Sequence, residues 1–227
     1  MKKLWVNGDS HTAGSYSPQN VENPFSKQLA KNFGFDYENI ALPGGSNHRI
    51  IRTTIEALPF LDPKETLILI GWSSWERTEW YWNHQWHAVC GDPGYSVPEF
   101  AKHRWQQHAI HHRQQFADPV SDHDLWGKSK EQEHAIYVFH TLLNNLGYKF
   151  LFFLGCANNF RWESADQTSS QLPWLQNTWA HNPYMPTGFS NFCLDKGHQK
   201  DSLWHFGQEA HNDYAEFLTP ILKTKLL

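Results

Sequence analysis

A serine near the beginning of the chain and a histidine and an aspartate near its end could together perform nucleophilic catalysis. Ser10 follows Gly8-Asp9 and the short apolar run Leu4-Trp5-Val6, and His205 precedes the last helical pattern, with Asp201 four residues before it. A serine hydroxyl attacks when a neighbouring imidazole removes its proton, and a carboxylate holds that imidazole in the correct tautomer. These residues are therefore our candidate nucleophile, base and acid.

Alternating strands and helices must bring these residues together. Apolar runs separated by helical patterns with polar caps and glycine stops predict a parallel sheet with helices on both faces, an α/β architecture. Ligands of such sheets bind at the carboxyl ends of the strands, where Ser10 falls. The predicted strands are Leu4–Val6, Tyr37–Ala41, Thr66–Ile70 and Phe150–Leu154, and the predicted helices begin near Pro24, Ser46 or Asn47, Ser129 and Gly207.

Two long segments interrupt this alternation. Residues 72–127 are rich in aromatic side chains, His and Gln and show no sustained period, apart from a possible helix over about 97–116. Residues 158–200 resemble a loop with three prolines. Long segments of this kind inside a compact domain usually form lids or binding loops. The aromatic segment is either a lid that packs on a sugar or acyl group, a small second core, or a protein-binding surface.

Composition limits the classes of protein to which the chain can belong. A length of 227 residues with 40% hydrophobic residues suits one domain, residues 1–227, with an insertion at about 72–128 that forms a lid or subdomain. The formal net charge of −4 predicts no nucleic-acid partner, and no apolar run approaches the roughly 20 residues of a membrane span. Three widely spaced cysteines and the absence of a signal-peptide pattern predict a cytoplasmic protein.

Four sequence blocks, in this order, resemble those of the SGNH, or GDSL-type, hydrolases. They are Gly8-Asp9-Ser10, the glycine turn Pro43-Gly44-Gly45-Ser46-Asn47, Gly71 after the third strand, and the pair Asp201 and His205. The resemblance covers roughly residues 1–72, 129–156 and 200–220. It implies a flavodoxin-like three-layer sandwich that hydrolyses esters through a covalent acyl-enzyme. The chain also resembles SGNH-type proteins carried by phages, which would place it in the host cytoplasm or in a virion.

Matching these blocks to the family implies a role for each residue. Ser10 is the nucleophile and its backbone N–H is an oxyanion donor, as is the N–H of Gly44 or Gly45. The third block of the family reads Gly-x-Asn-Asp, whereas here Ser73 stands in place of the Asn donor. Ser73 could donate through its hydroxyl. Because losing one oxyanion donor typically costs about 10²–10³ in rate, an impaired enzyme is the alternative.

The fourth block also departs from the family pattern, Asp-x-x-His. Asp201 and His205 are one residue further apart than this pattern requires, whereas Asp195 and His198 have the family spacing. A helical pattern follows His205 but not His198. We therefore expect His205 as the base and Asp201 as the acid, with Asp195 as the alternative acid.

Residues beside these blocks are candidates for contact with a substrate. Asp9 is expected chiefly to hold the serine turn through backbone N–H groups, and Trp72 follows a strand that ends near Ser10. The predicted substrate is a small-molecule or glycan ester, preferably a small acyl ester on a carbohydrate, and neither a cofactor nor a metal is expected. The alternative is a protein of the same fold that binds a glycan or a partner without catalysis. The candidate substrate-binding residues are Asp9, Asn47, Trp72 and Trp204.

Overall fold

A four-stranded sheet with helices on both faces carries the candidate site. The computed structural model describes residues 1–14, 21–74, 77–82, 84–89, 125–155, 188–202 and 205–226. In chain order its elements are β1 Lys3–Asn7, α1 Ser10–Ala13, α2 Phe25–Phe33, β2 Asp36–Asn39, α3 Asn47–Ala57, β3 Thr66–Trp72, β4 Thr78–Trp82, β5 Gln85–Val89, α4 Leu125–Asn145, β6 Lys149–Leu154, α5 Phe189–Asp195 and α6 Gln208–Leu226.

The sheet is parallel and has the strand order β2-β1-β3-β6. Its register pairs Leu4 of β1 with Tyr37 of β2 and with Leu67 of β3. Parallel strands place their carboxyl ends at one edge of the sheet, so the ends of β1 and β3 lie side by side. The predicted parallel α/β architecture is therefore confirmed, and each of the four predicted strands is present.

Two apolar cores, one on each face of the sheet, produce the three layers. Alternate residues of β1 and β3 point to opposite faces, because side chains along a strand alternate. The first core joins the sheet to α2, α5 and α6, and its largest members include Phe25, Leu29, Phe153, Phe189 and Tyr214. The second core joins the sheet to α3 and α4, and its members include Trp5, Ile50, Trp72, Phe139 and Phe152.

The ends of α2 and α3 follow the predicted signals, whereas α4 begins at Leu125, before the predicted start at Ser129. Ser46 caps α3 by accepting from the backbone N–H of Arg49 (3.1 Å), and Gly34 ends α2 with a φ of 68°. α5 lies inside the segment that we predicted to be a loop. Its residues Phe189, Phe192 and Cys193 are buried at helical spacing. α6 continues through Pro220 and ends at Leu226. The possible helix over 97–116 lies outside the described residues.

A two-stranded antiparallel hairpin, β4 and β5, lies in the aromatic segment. Arg52 of α3 holds it in place, since its Nε and Nη2 each donate to a Glu79 carboxylate oxygen at 2.8 Å. The same guanidinium lies 4.5 Å from the centroid of the Trp86 ring. Tyr81 and Trp86 contact each other, with ring centroids 5.1 Å apart, and both are exposed. The hairpin therefore presents an aromatic pair on its surface.

Replacing Arg52 with glutamine is expected to destabilise the fold by about 1–3 kcal/mol, because Glu79 is largely buried and would lose two charge-assisted hydrogen bonds. Thermal unfolding measures this as a fall in the midpoint. Lys2→Gln is the matched control, because the Lys2–Glu65 pair is exposed and such pairs contribute at most about 1 kcal/mol. Equal midpoints for Arg52→Gln and the wild-type protein would contradict the proposed anchoring of the hairpin.

Candidate active site

The candidate nucleophile lies on a tight turn at the carboxyl end of β1. Ser10 is the first residue of α1, and the Asp9 carboxylate caps this helix by accepting from the backbone N–H groups of His11 (3.1 Å) and Thr12 (3.4 Å). Gly14 ends the helix in the left-handed conformation, with a φ of 66°. Asp9 thus holds the serine turn, as expected, and its side chain is fully buried.

Two glycines provide the space that this turn needs. The Thr12 side chain is fully buried beneath the turn, between the ends of β1 and β3. A Cβ atom on Gly8 or on Gly71 would overlap the Thr12 hydroxyl. Any larger residue at either position would therefore displace Thr12, and Ser10 with it.

Asp201 holds the candidate base immediately before α6. The Asp201 backbone N–H donates to the His205 carbonyl oxygen (2.8 Å), and Asp201 Oδ1 accepts from the His205 backbone N–H (2.9 Å). The carboxylate thus positions the histidine through its backbone, a contact that the triad prediction did not include. The alternative acid, Asp195, is exposed at the end of α5, and His198 lies 3.0 Å from the Asp213 carboxylate of α6.

Residues from both ends of the chain line one small cavity. Ser10 is 6% exposed and His205 is 7% exposed, and the His205 ring contacts the His11 ring, with centroids 5.2 Å apart. The cavity has a volume of ≈ 10 Å³, which is about the space that one water molecule needs. Residues that are far apart in the sequence therefore lie side by side at one site. The lining residues are Ser10, His11, Gly14, Val21, His205, Phe206 and His211.

Backbone N–H groups beside Ser10 are candidate oxyanion donors. Leu42 to Gly45 form a β-turn of type II, in which Gly44 takes a φ of 74° and the Gly45 N–H donates to the Leu42 carbonyl oxygen (2.8 Å). The Leu42 N–H donates to the Gly8 carbonyl oxygen (3.0 Å), which ties this turn to the serine turn. Within the described ranges, neither the Ser10 N–H nor the Gly44 N–H has a hydrogen-bond partner. Gly44 is therefore a better candidate donor than Gly45.

Asn47 and Ser73 are joined to each other. The Asn47 side-chain amide donates to the Ser73 carbonyl oxygen (3.0 Å), and its oxygen accepts from the Ser73 backbone N–H (2.7 Å). Asn47 thus connects α3 to the end of β3, and both residues are fully buried. The Ser73 hydroxyl accepts from Nη1 of Arg77 (2.8 Å), a residue that the sequence analysis missed. The signal available in the sequence was a cationic residue four positions after Ser73.

The two tryptophans predicted to contact substrate have different outcomes. Trp72 is fully buried in the second core, where its ring packs edge-on against Phe139 (6.0 Å) and Phe152 (4.9 Å). This position gives Trp72 a packing role and does not support the prediction that it lines a pocket. Trp204 lies outside the described residues.

Two buried histidines lie beside Ser10 and His205. Burial lowers the pKa of His11 to about 4, although the Asp9 carboxylate acts in the opposite direction. Burial, together with the nearby His11 and His205, lowers the pKa of His211 to about 3. The His211 Nδ1 accepts from the Phe25 backbone N–H (3.3 Å), which requires the neutral ring. Both side chains are therefore neutral at neutral pH, and His11 is a site residue that the sequence analysis missed.

Stability is expected to fall as the pH is lowered from about 6.5 to 4, because the unfolded chain then binds a proton at His11 that the folded chain excludes. His211 extends the loss to about pH 3. The shift at His11 alone corresponds to about 3 kcal/mol. Urea unfolding at pH 7 and at pH 4.5 measures the loss of stability between these two pH values. The His211→Gln variant should lose less stability across this range than the wild-type protein. An equal loss of stability in both proteins would contradict the lowered pKa of His211.

Three further properties of the described residues concern metal binding, membrane spans and the buried cysteine. Among them, no cluster of three or more His, Cys, Asp or Glu side chains could hold a metal ion. No helix within the described ranges has the length and apolar character needed to cross a membrane. Cys193 of α5 is buried, and burial raises the pKa of its thiol to about 12. The polar side chains that line the cavity with Ser10 are the imidazoles of His11, His205 and His211.

Solved structures with similar folds include those of esterases and of a lipolytic protein. A psychrotrophic esterase from Pseudoalteromonas sp. matches with a TM-score of 0.57 and 11% identity, over 100% of this chain and 99% of that chain. A member of the lipolytic protein G-D-S-L family from Veillonella parvula matches with a TM-score of 0.52 and 12% identity, over 98% and 99%. An acetyl xylan esterase from the rumen bacterium Butyrivibrio proteoclasticus matches with a TM-score of 0.52 and 13% identity, over 99% of this chain and 64% of that chain.

This chain therefore has the α/β fold of the GDSL-type, or SGNH, hydrolases, and the predicted resemblance is confirmed at the level of the fold. The chain belongs to a family of unknown function, DUF6071, whose model matches residues 11–169. No curated protein matches the sequence. The phage-type resemblance and the division into one domain with an insertion stay predictions.

Proposed function

We propose that this protein is a serine ester hydrolase in which Ser10 is the nucleophile and His205 the general base. The observation that carries the proposal is that both side chains, from opposite ends of the chain, are more than nine-tenths buried and line the same cavity. The fold shared with esterases supports the same class of reaction. Asp201 positions His205 through the hydrogen bond between its carboxylate and the His205 backbone N–H.

The reaction proceeds in two halves. His205 takes the proton of the Ser10 hydroxyl while the serine oxygen attacks the ester carbonyl carbon, and the backbone N–H groups of Ser10 and Gly44 stabilise the resulting oxyanion. When the tetrahedral intermediate collapses, the bond to the alcohol oxygen breaks and His205 gives its proton to the departing alcohol. Ser10 then carries the acyl group as an ester.

Water completes the reaction. His205 removes a proton from a water molecule, which attacks the acyl-serine carbonyl carbon. The carboxylic acid leaves and Ser10 recovers its proton from His205. In the proposed reaction this water lies beside His205, which lines the same cavity as Ser10. Burial lowers the pKa of His11 to about 4, which makes its ring a weak base, and His205 is the proton acceptor of this pair in the proposed mechanism.

The preferred substrate class is a small acyl ester on a carbohydrate. The support for this preference is the exposed pair of aromatic rings, Tyr81 and Trp86, on the β4–β5 hairpin. Aromatic side chains combine an apolar face with a polar tip and suit surfaces that contact partly polar ligands. A fold relative acts on such an ester, since it is an acetyl xylan esterase.

Labelling with a serine-reactive phosphonate tests the proposal. The reagent is expected to add once to the wild-type protein, with the added mass on the peptide that contains Ser10, and to stop hydrolysis of a short-chain chromogenic ester. Absence of labelling and of ester hydrolysis would overturn the proposal. If such an inactive protein still bound acetylated glycans, as measured by calorimetry, the alternative of a non-catalytic binding protein would replace it.

A further inference from the structure

We propose that Arg77 is a positioning residue that makes the Ser73 hydroxyl the third oxyanion donor. The inference rests on the proposed ester hydrolysis at Ser10 and assigns a role to a residue beyond the matched sequence blocks. Ser73 stands where the third block of the SGNH pattern has an asparagine, whose amide would otherwise fill this role. The missing amide is thus replaced by a pair of residues, one that donates and one that orients the donor.

One guanidinium nitrogen connects the two strand ends that flank the nucleophile. Nη1 of Arg77 donates to Ser73 Oγ at 2.8 Å, and the same nitrogen lies 3.5 Å from Asp9 Oδ2. The Arg77 side chain is 13% exposed and that of Asp9 is fully buried, so the contact lies inside the protein. Arg77 therefore links the end of β3 to the serine turn that follows β1.

The chemistry of the two groups decides the direction of this hydrogen bond. A guanidinium can only donate, so the Ser73 oxygen is the acceptor and its own proton remains available to an acceptor elsewhere. A hydroxyl that accepts from a cation is a stronger donor than an isolated hydroxyl, because hydrogen bonds in a chain polarise one another. The contact thus both fixes the Ser73 oxygen and strengthens its proton as a donor.

The rest of Ser73 is already held in place. Its backbone N–H and carbonyl oxygen are both bonded to the Asn47 side chain, at 2.7 Å and 3.0 Å. The backbone N–H is therefore occupied, and the hydroxyl is the group of Ser73 that can donate to an oxyanion. Immobilising a donor before the reaction is what makes such a group effective, since no reorganisation is then needed.

Asp9 is confined on its other side as well. Its Oδ1 accepts from the His11 backbone N–H at 3.1 Å. Gly155, after β6, lies so close that a Cβ atom there would be 2.8 Å from the same oxygen. The carboxylate consequently cannot move away from Arg77 without disturbing the turn that carries Ser10. Asp9, Arg77 and Ser73 form one connected group beside the nucleophile.

The simpler role for Arg77 is to neutralise the buried Asp9 carboxylate, and the two roles make different predictions about catalysis. A neutralising residue contributes to stability and leaves the turnover of the folded protein unchanged. Removing a positioning residue lowers kcat and leaves KM nearly constant. The loss of kcat is also not additive with the loss caused by removing the Ser73 hydroxyl.

The test compares Ser73→Ala, Arg77→Gln, Arg77→Lys and the double variant Ser73→Ala/Arg77→Gln in steady-state hydrolysis of a short-chain chromogenic ester, with the folded fraction measured by circular dichroism. We expect kcat to fall about 10²-fold in Ser73→Ala and by a similar factor in Arg77→Gln, with KM changed less than about threefold. The double variant should be no slower than the slower single variant, and Arg77→Lys should recover part of the loss.

Ser73→Ala keeps the test decisive if Arg77→Gln does not fold, because it removes one hydroxyl and leaves the Arg77–Asp9 pair in place. A kcat for Ser73→Ala equal to that of the wild-type protein would overturn the role of Arg77 and leave the Ser10 mechanism intact. Wild-type protein without any hydrolysis that depends on Ser10 would overturn both proposals.

Discussion

Replacing Ser10 with alanine is expected to lower kcat/KM for a chromogenic ester by at least about 10³-fold. Without the hydroxyl no acyl-enzyme forms, and removing the nucleophile of a serine hydrolase costs up to about 10⁶-fold. The variant should still fold, because the Asp9 cap and the Gly14 stop of α1 do not involve the Ser10 side chain. The measurement is steady-state hydrolysis, with thermal unfolding as the check on folding.

Ser26→Ala is the matched control for this variant. Ser26 is also fully buried, lies on α2 on the same face of the sheet, and its hydroxyl is hydrogen-bonded to the Tyr37 hydroxyl (2.9 Å). Its removal should leave hydrolysis within about twofold of the wild-type rate. If Ser10→Ala kept more than a tenth of the wild-type activity, the nucleophile would have to be another residue.

Replacing His205 with glutamine is expected to lower the rate about as much as replacing Ser10, because serine is a poor nucleophile until a base removes its proton. Residues that act as a unit show non-additive losses. The double variant Ser10→Ala/His205→Gln should therefore be no slower than either single variant. The turn before α6 should remain, because Asp201 bonds to the backbone N–H of residue 205, which glutamine also has.

The control for this second variant is His140→Gln. His140 lies on α4, on the opposite face of the sheet, where its ring packs against Phe150 with centroids 5.1 Å apart. Its replacement should change stability but not kcat. A His205→Gln protein with near wild-type turnover would remove His205 from the mechanism and direct attention to His11, whose ring contacts that of His205.

The strands with long apolar runs could be predicted from the sequence, because a strand that is buried on both faces has hydrophobic residues at consecutive positions. Leu67 to Ile70 of β3 are all buried, and so this strand shows as an unbroken hydrophobic run. The serine turn was also predictable, because Gly8, Asp9 and Ser10 directly follow the apolar run of the first strand. The seven-residue helix α5 was missed because it has only two helical turns, and the three prolines earlier in the 158–200 segment favoured a loop.

Apart from the meeting of Ser10 and His205, contacts between distant side chains could not be predicted from the sequence. Nothing in the spacing of Asp9, Ser73 and Arg77 shows that one guanidinium connects them, because the contact depends on how β1 and β3 pair. Asn47 was predicted to face the substrate, whereas it binds the Ser73 backbone, and that choice is set by the approach of α3 to the end of β3. Burial of Trp72 likewise depends on α4 covering the second face of the sheet.

The packing of α2 against α6 has a consequence for how the chain folds. Phe25 contacts Tyr214 edge-on (5.0 Å) and Gln28 is hydrogen-bonded to Asn212 (2.8 Å), so segments from the two ends of the chain are adjacent. Such contacts raise the contact order. The chain loses entropy when it closes the long loop between them, and this cost slows their formation. Refolding is therefore expected to be slow for a chain of this size. The arrangement of Ser10 and His205 around one cavity should appear only in the final phase, after most secondary structure has been regained.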